Sequence, residues 1–226
     1  MNMNALLIVA AAAATLYQIA FAARPEGQHS WTGSAVKTVS TAALALAGLA
    51  GGAPGLIVLG LALGATGDFA LSRPGKAAFL AGMGAFASGH LAYALAFWQR
   101  GAALGGPALG PLQIAALALM ALLLLSTEYW LAPRTGALRW PVRGYGLVIG
   151  AMAVSVLLLP ANGGDTLLRS GAALFLMSDT LLALRLFVAN SPRQQRLLVL
   201  AVWPSYWLGQ ALILIGALLY WDFPKG

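Results

Sequence analysis

The sequence predicts an all-α integral membrane protein, folded as a polytopic bundle of eight transmembrane helices. Of its 226 residues, 60% are hydrophobic and only 8% are charged. The apolar residues fall in successive stretches of about 17–25 residues, which match a hydrocarbon core of roughly 30 Å at about 1.5 Å of rise per helical residue. A membrane β-barrel would instead alternate polar and apolar residues in short segments, and a soluble domain could not bury this much apolar surface.

Eight apolar stretches define one predicted transmembrane domain that covers residues 1–226. Breaker residues separate the second stretch from the third, in the order Gly51-Gly52-Ala53-Pro54-Gly55, which favours a tight hairpin. No basic residue precedes the first stretch as in a signal peptide, so we expect a retained helix. The predicted helices lie near residues 5–23, 35–51, 55–71, 77–98, 111–131, 142–160, 166–189 and 197–220.

The basic residues are concentrated in alternate connections between the predicted helices. By the positive-inside rule, the 1–2, 3–4, 5–6 and 7–8 connections therefore face the cytoplasm. We expect both termini on the other side, in a protein of the bacterial inner (plasma) membrane. The net charge of +7 then reflects topology and not binding to nucleic acid. Ten of the 13 Lys and Arg residues follow this pattern: Arg24, Lys37, Arg73, Lys76, Arg134, Arg139, Arg143, Arg185, Arg193 and Arg196.

The composition also excludes several kinds of chemistry. The chain has no cysteine, which excludes disulfides, Cys-ligated zinc and thiol catalysis. Its two histidines, His29 and His90, are too few for a three-histidine metal site within one chain. We therefore expect neither a metal nor another cofactor.

A few polar residues lie inside the predicted helices, where an ionisable side chain costs about 2.5–3.5 kcal/mol on insertion scales. Asp68 and Asp179 fall at similar depths in the cytoplasmic half, and two carboxyls there favour a functional role. Glu128 is adjacent to two aromatic residues and fits an interfacial anchor, and Arg185 can snorkel to the surface. We predict a polar cavity that opens to the cytoplasm and reaches the bilayer centre. Other polar residues placed to line it are Lys37, His90, Tyr145, Tyr206 and Gln210.

The two aspartates also occupy matching positions in a weak internal correspondence. Residues 60–71 align without gaps to residues 171–182, which brings Asp68 opposite Asp179. The match carries weight because the chain has only four aspartates, the other two being Asp165 and Asp222. A parallel repeat of two four-helix halves would place both carboxyls symmetrically around one central cavity.

Several motifs together resemble the YhhN family of membrane proteins, whose animal members are lysoplasmalogenases. The resemblance extends from about residue 34 to 215 and includes a lysine at Lys37, where Thr38 and Val39 follow in place of the proline that many members have. The resemblance implies hydrolysis of the vinyl ether bond of a lysoplasmalogen to a fatty aldehyde and a glycerophospho-alcohol. The motifs are Gly67-Asp68-Phe69-Ala70-Leu71, Phe79-Leu80-Ala81-Gly82, Ala85-Phe86, His90-Leu91-Ala92-Tyr93, Gly171 to Phe175, Ser178 to Ala183, Phe187 and Tyr206-Trp207-Leu208-Gly209-Gln210.

This chemistry suits two buried carboxyls. A vinyl ether hydrolyses by protonation of its β-carbon, and water then captures the resulting oxocarbenium ion. Burial and like-charge repulsion keep one carboxyl protonated while its partner stays ionised. We therefore predict that Asp68 and Asp179 form the acid and base pair, in either order. The resemblance further implies that His90 and Tyr93 orient or line the site, that Lys37 and Tyr145 contact the substrate phosphate, and that Tyr206 and Gln210 are polar lining.

Two other classes of function stay open from the sequence. An intramembrane Asp pair with a parallel repeat also describes a proton-coupled transporter or a lipid-binding protein. A structural scaffold would tolerate Asp→Leu at both positions. In the enzyme interpretation the partners are a lysophospholipid substrate and the surrounding membrane lipids.

Overall fold

The structure is a computed structural model that describes residues 2–22, 24, 30–107 and 109–222. Within these ranges the chain forms eight α-helices and no β-strand, which confirms the predicted all-helical fold. His29 and Lys225 lie outside the described residues. The helices are α1 (Met3–Tyr17), α2 (Trp31–Ala50), α3 (Gly55–Leu71), α4 (Lys76–Ala103), α5 (Pro111–Trp130), α6 (Arg139–Leu157), α7 (Asp165–Phe187) and α8 (Pro192–Asp222).

The helices are those of an integral membrane protein. Over the described ranges, seven of them are long and apolar enough to cross a bilayer, and α1 does so together with the π-helical turn Gln18–Ala22. The remaining helix, α3, is apolar but has 17 residues, so it is about 26 Å long. Asp68 lies near the end of α3 and is buried in the bundle.

Two helices are longer than their hydropathy predicts. The sequence places the end of α4 near residue 98 and the start of α8 near residue 197, but these helices extend to Ala103 and back to Pro192. The extra turns contain Gln99 and Arg100 in α4 and Arg193 in α8. Hydropathy detects only the part of a helix that matches the hydrocarbon, whereas Gln and Arg are good helix formers that continue the backbone hydrogen bonds beyond it.

Small residues allow the helices to approach one another closely. The α7–α8 and α3–α4 pairs make the most extensive contacts. A Cβ added at Gly171 of α7 would lie 2.8 Å from the carbonyl oxygen of Gly209 in α8, and one at Gly216 would lie 2.8 Å from the amide nitrogen of Leu168. Interfaces of this kind are typical of helices that pack in lipid. The 4+4 parallel repeat is not confirmed by the fold and stays a prediction.

Candidate active site

One end of the bundle holds a cavity of about 210 Å³, which we call the main cavity. It lies at the end of the bundle that carries the basic connections. Its wall is formed by the ends of α1 and α3, the starts of α2 and α4, the second half of α7 and the first half of α8. Asp68 and Asp179 both line it, so the fold brings together the two aspartates predicted from the sequence. Its other polar lining residues are Tyr17, Lys37, Ser72, Ser178, Arg185 and Tyr206.

Asp68 has a cation on one carboxyl oxygen and two hydroxyl donors on the other. Its side chain is 1% exposed, and its Oδ1 lies 3.1 Å from Lys37 Nζ. Its Oδ2 accepts hydrogen bonds from Thr41 Oγ1 and from the Tyr206 hydroxyl, both at 2.8 Å. An ammonium and two hydroxyl donors together are suitable partners for a carboxylate anion.

A chain of hydrogen bonds supports the Tyr206 hydroxyl from behind. Gln210 Nε2 donates to this hydroxyl at 3.4 Å, and Gln210 Oε1 accepts from the Tyr93 hydroxyl at 2.5 Å. Gln210 and Tyr93 are buried, and neither of them lines the main cavity. The structure therefore places them behind the wall, where they hold the hydroxyl that contacts Asp68.

Asp179 has a tyrosine and a histidine as hydrogen-bonding partners. The Tyr145 hydroxyl donates to its Oδ2 at 2.8 Å, and His90 Nε2 lies 3.2 Å from the same oxygen. His90 also contacts the Tyr145 hydroxyl at 3.1 Å, through Nε2. The His90 side chain is fully buried, whereas that of Asp179 is 16% exposed to the cavity.

The second nitrogen of the His90 ring faces a hydrogen-bond acceptor. Nδ1 is 3.2 Å from the sulfur of the buried Met152, and a thioether can only accept a hydrogen bond. With its proton on Nδ1, the ring presents Nε2 as an acceptor to Asp179 and to the Tyr145 hydroxyl. In this tautomer Nε2 can accept a proton from the Asp179 carboxyl and return it.

Phe175 lies between the residues that contact Asp68 and those that contact Asp179. Its ring centroid is 4.4 Å from that of His90 and 5.2 Å from that of Tyr206. The Phe86 ring meets both Phe175 and Tyr206 edge to face, at 6.3 and 5.6 Å. Each carboxyl is thus held by its own set of partners, with aromatic rings between these sets.

A smaller cavity of about 70 Å³, which we call the apolar annex, adjoins the main cavity at Asp179. The annex is bounded by the end of α3 and by α4, α6 and α7. Besides Asp179, the residues that line both cavities are Leu71, Phe79, Phe86, Leu182 and Leu186. Leu186, which lines both, is 46% exposed, so the annex reaches the lipid-facing surface of the bundle. The residues found only in the annex are Met83, Val142, Tyr145, Ala183 and Phe187.

Comparison with known proteins identifies the family. The YhhN family model matches residues 32–217. The chain belongs to the YhhN family. It is 34% identical to the human protein named lysoplasmalogenase TMEM86B over 204 residues, which are 86% of this chain and 79% of the human protein. It is 33% identical to the pig (Sus scrofa) protein of that name over 198 residues, 84% of this chain and 76% of the pig protein. No solved structure matches.

Three residues around the site of this YhhN protein were not among the predicted site residues. Thr41 lies one helical turn after Lys37, so this spacing could have placed both on one face of α2. Met152 gives no such signal, because one methionine in an apolar helix looks like packing. Arg185 was expected to snorkel, but it is half-buried and lines the main cavity.

The sequence predicts that Glu128 is an anchor at the membrane interface. It forms an ion pair with Arg143 between α5 and α6, and its side chain is 40% exposed. It does not line the main cavity or the annex of this YhhN protein. This placement agrees with a surface role.

Proposed function

We propose that this YhhN protein is an intramembrane ether hydrolase that cleaves the vinyl ether bond of lysoplasmalogens, releasing a fatty aldehyde and a glycerophospho-alcohol. The names of its relatives support the reaction. The observation that carries the proposal is that two carboxyls with different partners line one cavity. That cavity continues into an apolar annex suited to a hydrocarbon chain.

The partners of the two carboxyls support distinct roles. Asp68 faces an ammonium and two hydroxyl donors, so it acts as the anion. We assign Asp179 as the acid, because His90 Nε2, at 3.2 Å from its Oδ2, can take up a proton from this carboxyl and return it. The difference between the carboxyls then arises from the side chains around each of them, and mutual repulsion is not required.

The proposed reaction adds one water across the vinyl ether. Asp179 donates its proton to the β-carbon as the double-bond electrons form the new C–H bond. The α-carbon becomes an oxocarbenium ion, which the Asp68 carboxylate stabilises. Water attacks the α-carbon and loses a proton to a carboxylate, giving a hemiacetal. The hemiacetal hydroxyl then loses its proton as the bond to the glycerol oxygen breaks, and that oxygen takes up a proton.

The shapes of the two cavities set the orientation of the substrate. The alkenyl chain lies in the apolar annex, between α4, α6 and α7, and continues towards the lipid past the exposed Leu186. The glycerol and headgroup occupy the main cavity, at the basic end of the bundle. The vinyl ether then lies at Asp179, where the two cavities meet.

Filling the annex is expected to change the preference for chain length. Ala183→Phe places a ring in a space of about 70 Å³, which should lower kcat/KM about tenfold for a long-chain lysoplasmalogen, as expected for a clash of about 1.4 kcal/mol. A short-chain substrate that ends before the annex should be affected less than about threefold. Ala173→Phe, on an exposed position of the same helix, is the matched control. Equal losses for both chain lengths in Ala183→Phe would contradict the proposed orientation.

The activity itself is tested with purified protein in detergent. We expect aldehyde from a lysoplasmalogen and none from the matching ester or saturated ether lysophospholipid, because neither of these has an enol ether double bond to protonate. A transporter or a lipid-binding protein would bind these lipids and release no aldehyde from any of them. That result would overturn the proposal.

We also propose that the main cavity opens to the cytoplasm of a bacterial inner membrane, with both termini on the opposite side. The basic residues at the cavity end support this orientation. A phosphatase that folds only outside the cytoplasm, fused after residue 226, should be active, and a fluorescent protein that folds only inside should be dark. The reverse pattern would contradict the orientation.

A further inference from the structure

The carboxyl oxygens of Asp68 and Asp179 differ in what they contact. Asp68 Oδ1 lies 3.1 Å from Lys37 Nζ, and Asp68 Oδ2 accepts hydrogen bonds from Thr41 and Tyr206. Both oxygens of Asp68 are therefore occupied by partners. The polar contacts of Asp179 within the described part of the chain are all made by Oδ2. Its Oδ1 has no hydrogen-bonding or ionic partner among the described residues.

Asp179 Oδ1 is a carboxyl oxygen that a substrate can reach. Asp179 lines both the main cavity and the apolar annex, and its side chain is 16% exposed, against 1% for Asp68. Among the described side-chain oxygens that lack a hydrogen bond, Asp68 Oδ1 is buried and Asp179 Oδ1 is not. An acid must touch the atom that it protonates. Oδ1 of Asp179 is thus the oxygen placed to meet the β-carbon of the vinyl ether.

The hydroxyl of Tyr145 holds the other oxygen of Asp179. Tyr145 lies near the start of α6, and its hydroxyl donates to Asp179 Oδ2 at 2.8 Å. His90 Nε2 lies 3.2 Å from the same oxygen. A carboxyl group rotates easily about its last torsion, because a bond of this kind has no sharp staggered minima. Contacts on Oδ2 limit this rotation, and they keep Oδ1 turned to the cavity.

A contact with the substrate phosphate would compete with this arrangement. A tyrosine hydroxyl has one hydrogen to donate, and Tyr145 donates it to Asp179. Tyr145 lines the annex and is not among the described residues that line the main cavity, where the headgroup is proposed to lie. The family resemblance implies a phosphate contact for Tyr145, whereas the fold favours a contact with the proposed acid.

We infer that Tyr145 is a positioning residue, whose hydroxyl holds Asp179 by Oδ2 so that Oδ1 delivers the proton to the β-carbon. This inference rests on the proposed function. In the step, the O–H bond at Oδ1 breaks and a C–H bond forms at the β-carbon, which leaves a carboxylate on Asp179 and an oxocarbenium ion on the substrate. Tyr145 keeps its own proton throughout. Its hydrogen bond then goes to an anion and becomes stronger, which stabilises the products of the transfer.

The test separates catalysis from binding. Tyr145→Phe removes the hydroxyl and keeps the ring in the wall of the annex. It should lower kcat for a lysoplasmalogen about 10- to 100-fold, the range expected for a hydrogen bond to a charged group. It should change Kd for a saturated 1-O-alkyl lysophospholipid, which has no vinyl ether to cleave, less than about threefold. An unchanged Kd would also show that the variant is folded.

Tyr220→Phe is the matched control. It removes the same atom from a hydrogen bond of 2.8 Å, in which the Tyr220 hydroxyl donates to the carbonyl oxygen of Pro160. Tyr220 is buried in α8 and lines neither the main cavity nor the annex. We expect Tyr220→Phe to lower the unfolding temperature and to change kcat and Kd less than about threefold.

A Tyr145→Phe protein with a weakened Kd and wild-type kcat at saturating substrate would overturn the inference, because the hydroxyl would then contact the phosphate. Wild-type values of both constants would overturn it as well. So would equal losses of kcat in Tyr145→Phe and Tyr220→Phe, which would reflect stability alone. Failure of the proposed function would show separately, as absence of aldehyde from wild-type protein.

Discussion

Asp179→Asn is expected to lower the rate of aldehyde release about 10²- to 10⁴-fold, the range in which general acid catalysis contributes. Asparagine keeps the size of the side chain and an oxygen that can accept the hydrogen bond from Tyr145. It has no carboxyl proton to donate to the substrate or to exchange with His90. The measurement is kcat with a lysoplasmalogen in detergent, together with the thermal unfolding temperature.

Asp165→Asn is the matched control for this variant. Asp165 lies at the start of the same helix, paired with Arg169 at 2.7 Å, and does not line the main cavity. We expect Asp165→Asn to retain wild-type kcat. Full turnover in Asp179→Asn would show that the proton comes from another group, even if the lysoplasmalogen is the true substrate.

The second large effect concerns the ion pair of Lys37 and Asp68. Asp68→Asn leaves a mostly buried ammonium without its counter-charge, and breaking a buried pair in this way costs about 3–5 kcal/mol. Lys37→Met should destabilise the protein by a similar amount, because it leaves the carboxylate. The double variant Lys37→Met/Asp68→Asn removes both charges, so we expect it to recover most of the lost stability.

Activity should not recover together with stability. The double variant has no anion to stabilise the oxocarbenium ion, so its aldehyde release should stay about 10²- to 10³-fold below wild type. The four proteins of this cycle give the coupling free energy from their unfolding temperatures in one detergent. A double variant that regains wild-type turnover would show that Asp68 serves only to hold Lys37, which would contradict its proposed role.

The eight helices could be predicted because membrane insertion depends on local sequence. A stretch of about 20 apolar residues has no other low-energy location than the bilayer, whatever its neighbours are. The positions of Arg and Lys then assign each predicted connection to one side of the membrane. In this topology Asp68 and Asp179 fall at similar depths in the bilayer. Depth is a one-dimensional property, so it can be read from positions along the chain.

The partners of each polar residue could not be predicted in the same way. Lys37 and Tyr145 were assigned to the phosphate from family resemblance, but in the fold each contacts a different carboxyl. The sequence allows Arg185 to snorkel to the surface, and the fold shows that it is half-buried and lines the main cavity. These outcomes depend on how each helix is rotated about its own axis. That rotation follows from the packing of small residues such as Gly171 and Gly209 between helices.

The amino-acid sequence by itself determined that this protein is a helical membrane bundle with two aspartates at similar depths in one half, because hydrophobicity and charge act residue by residue. Only the tertiary structure decided that Asp68 has a lysine beside it whereas Asp179 has a histidine and a tyrosine. The physical reason is that hydrogen bonds and ion pairs require contact within a few ångströms. Such contacts join residues as far apart in the chain as His90 and Asp179, and only the packing of the helices brings these together.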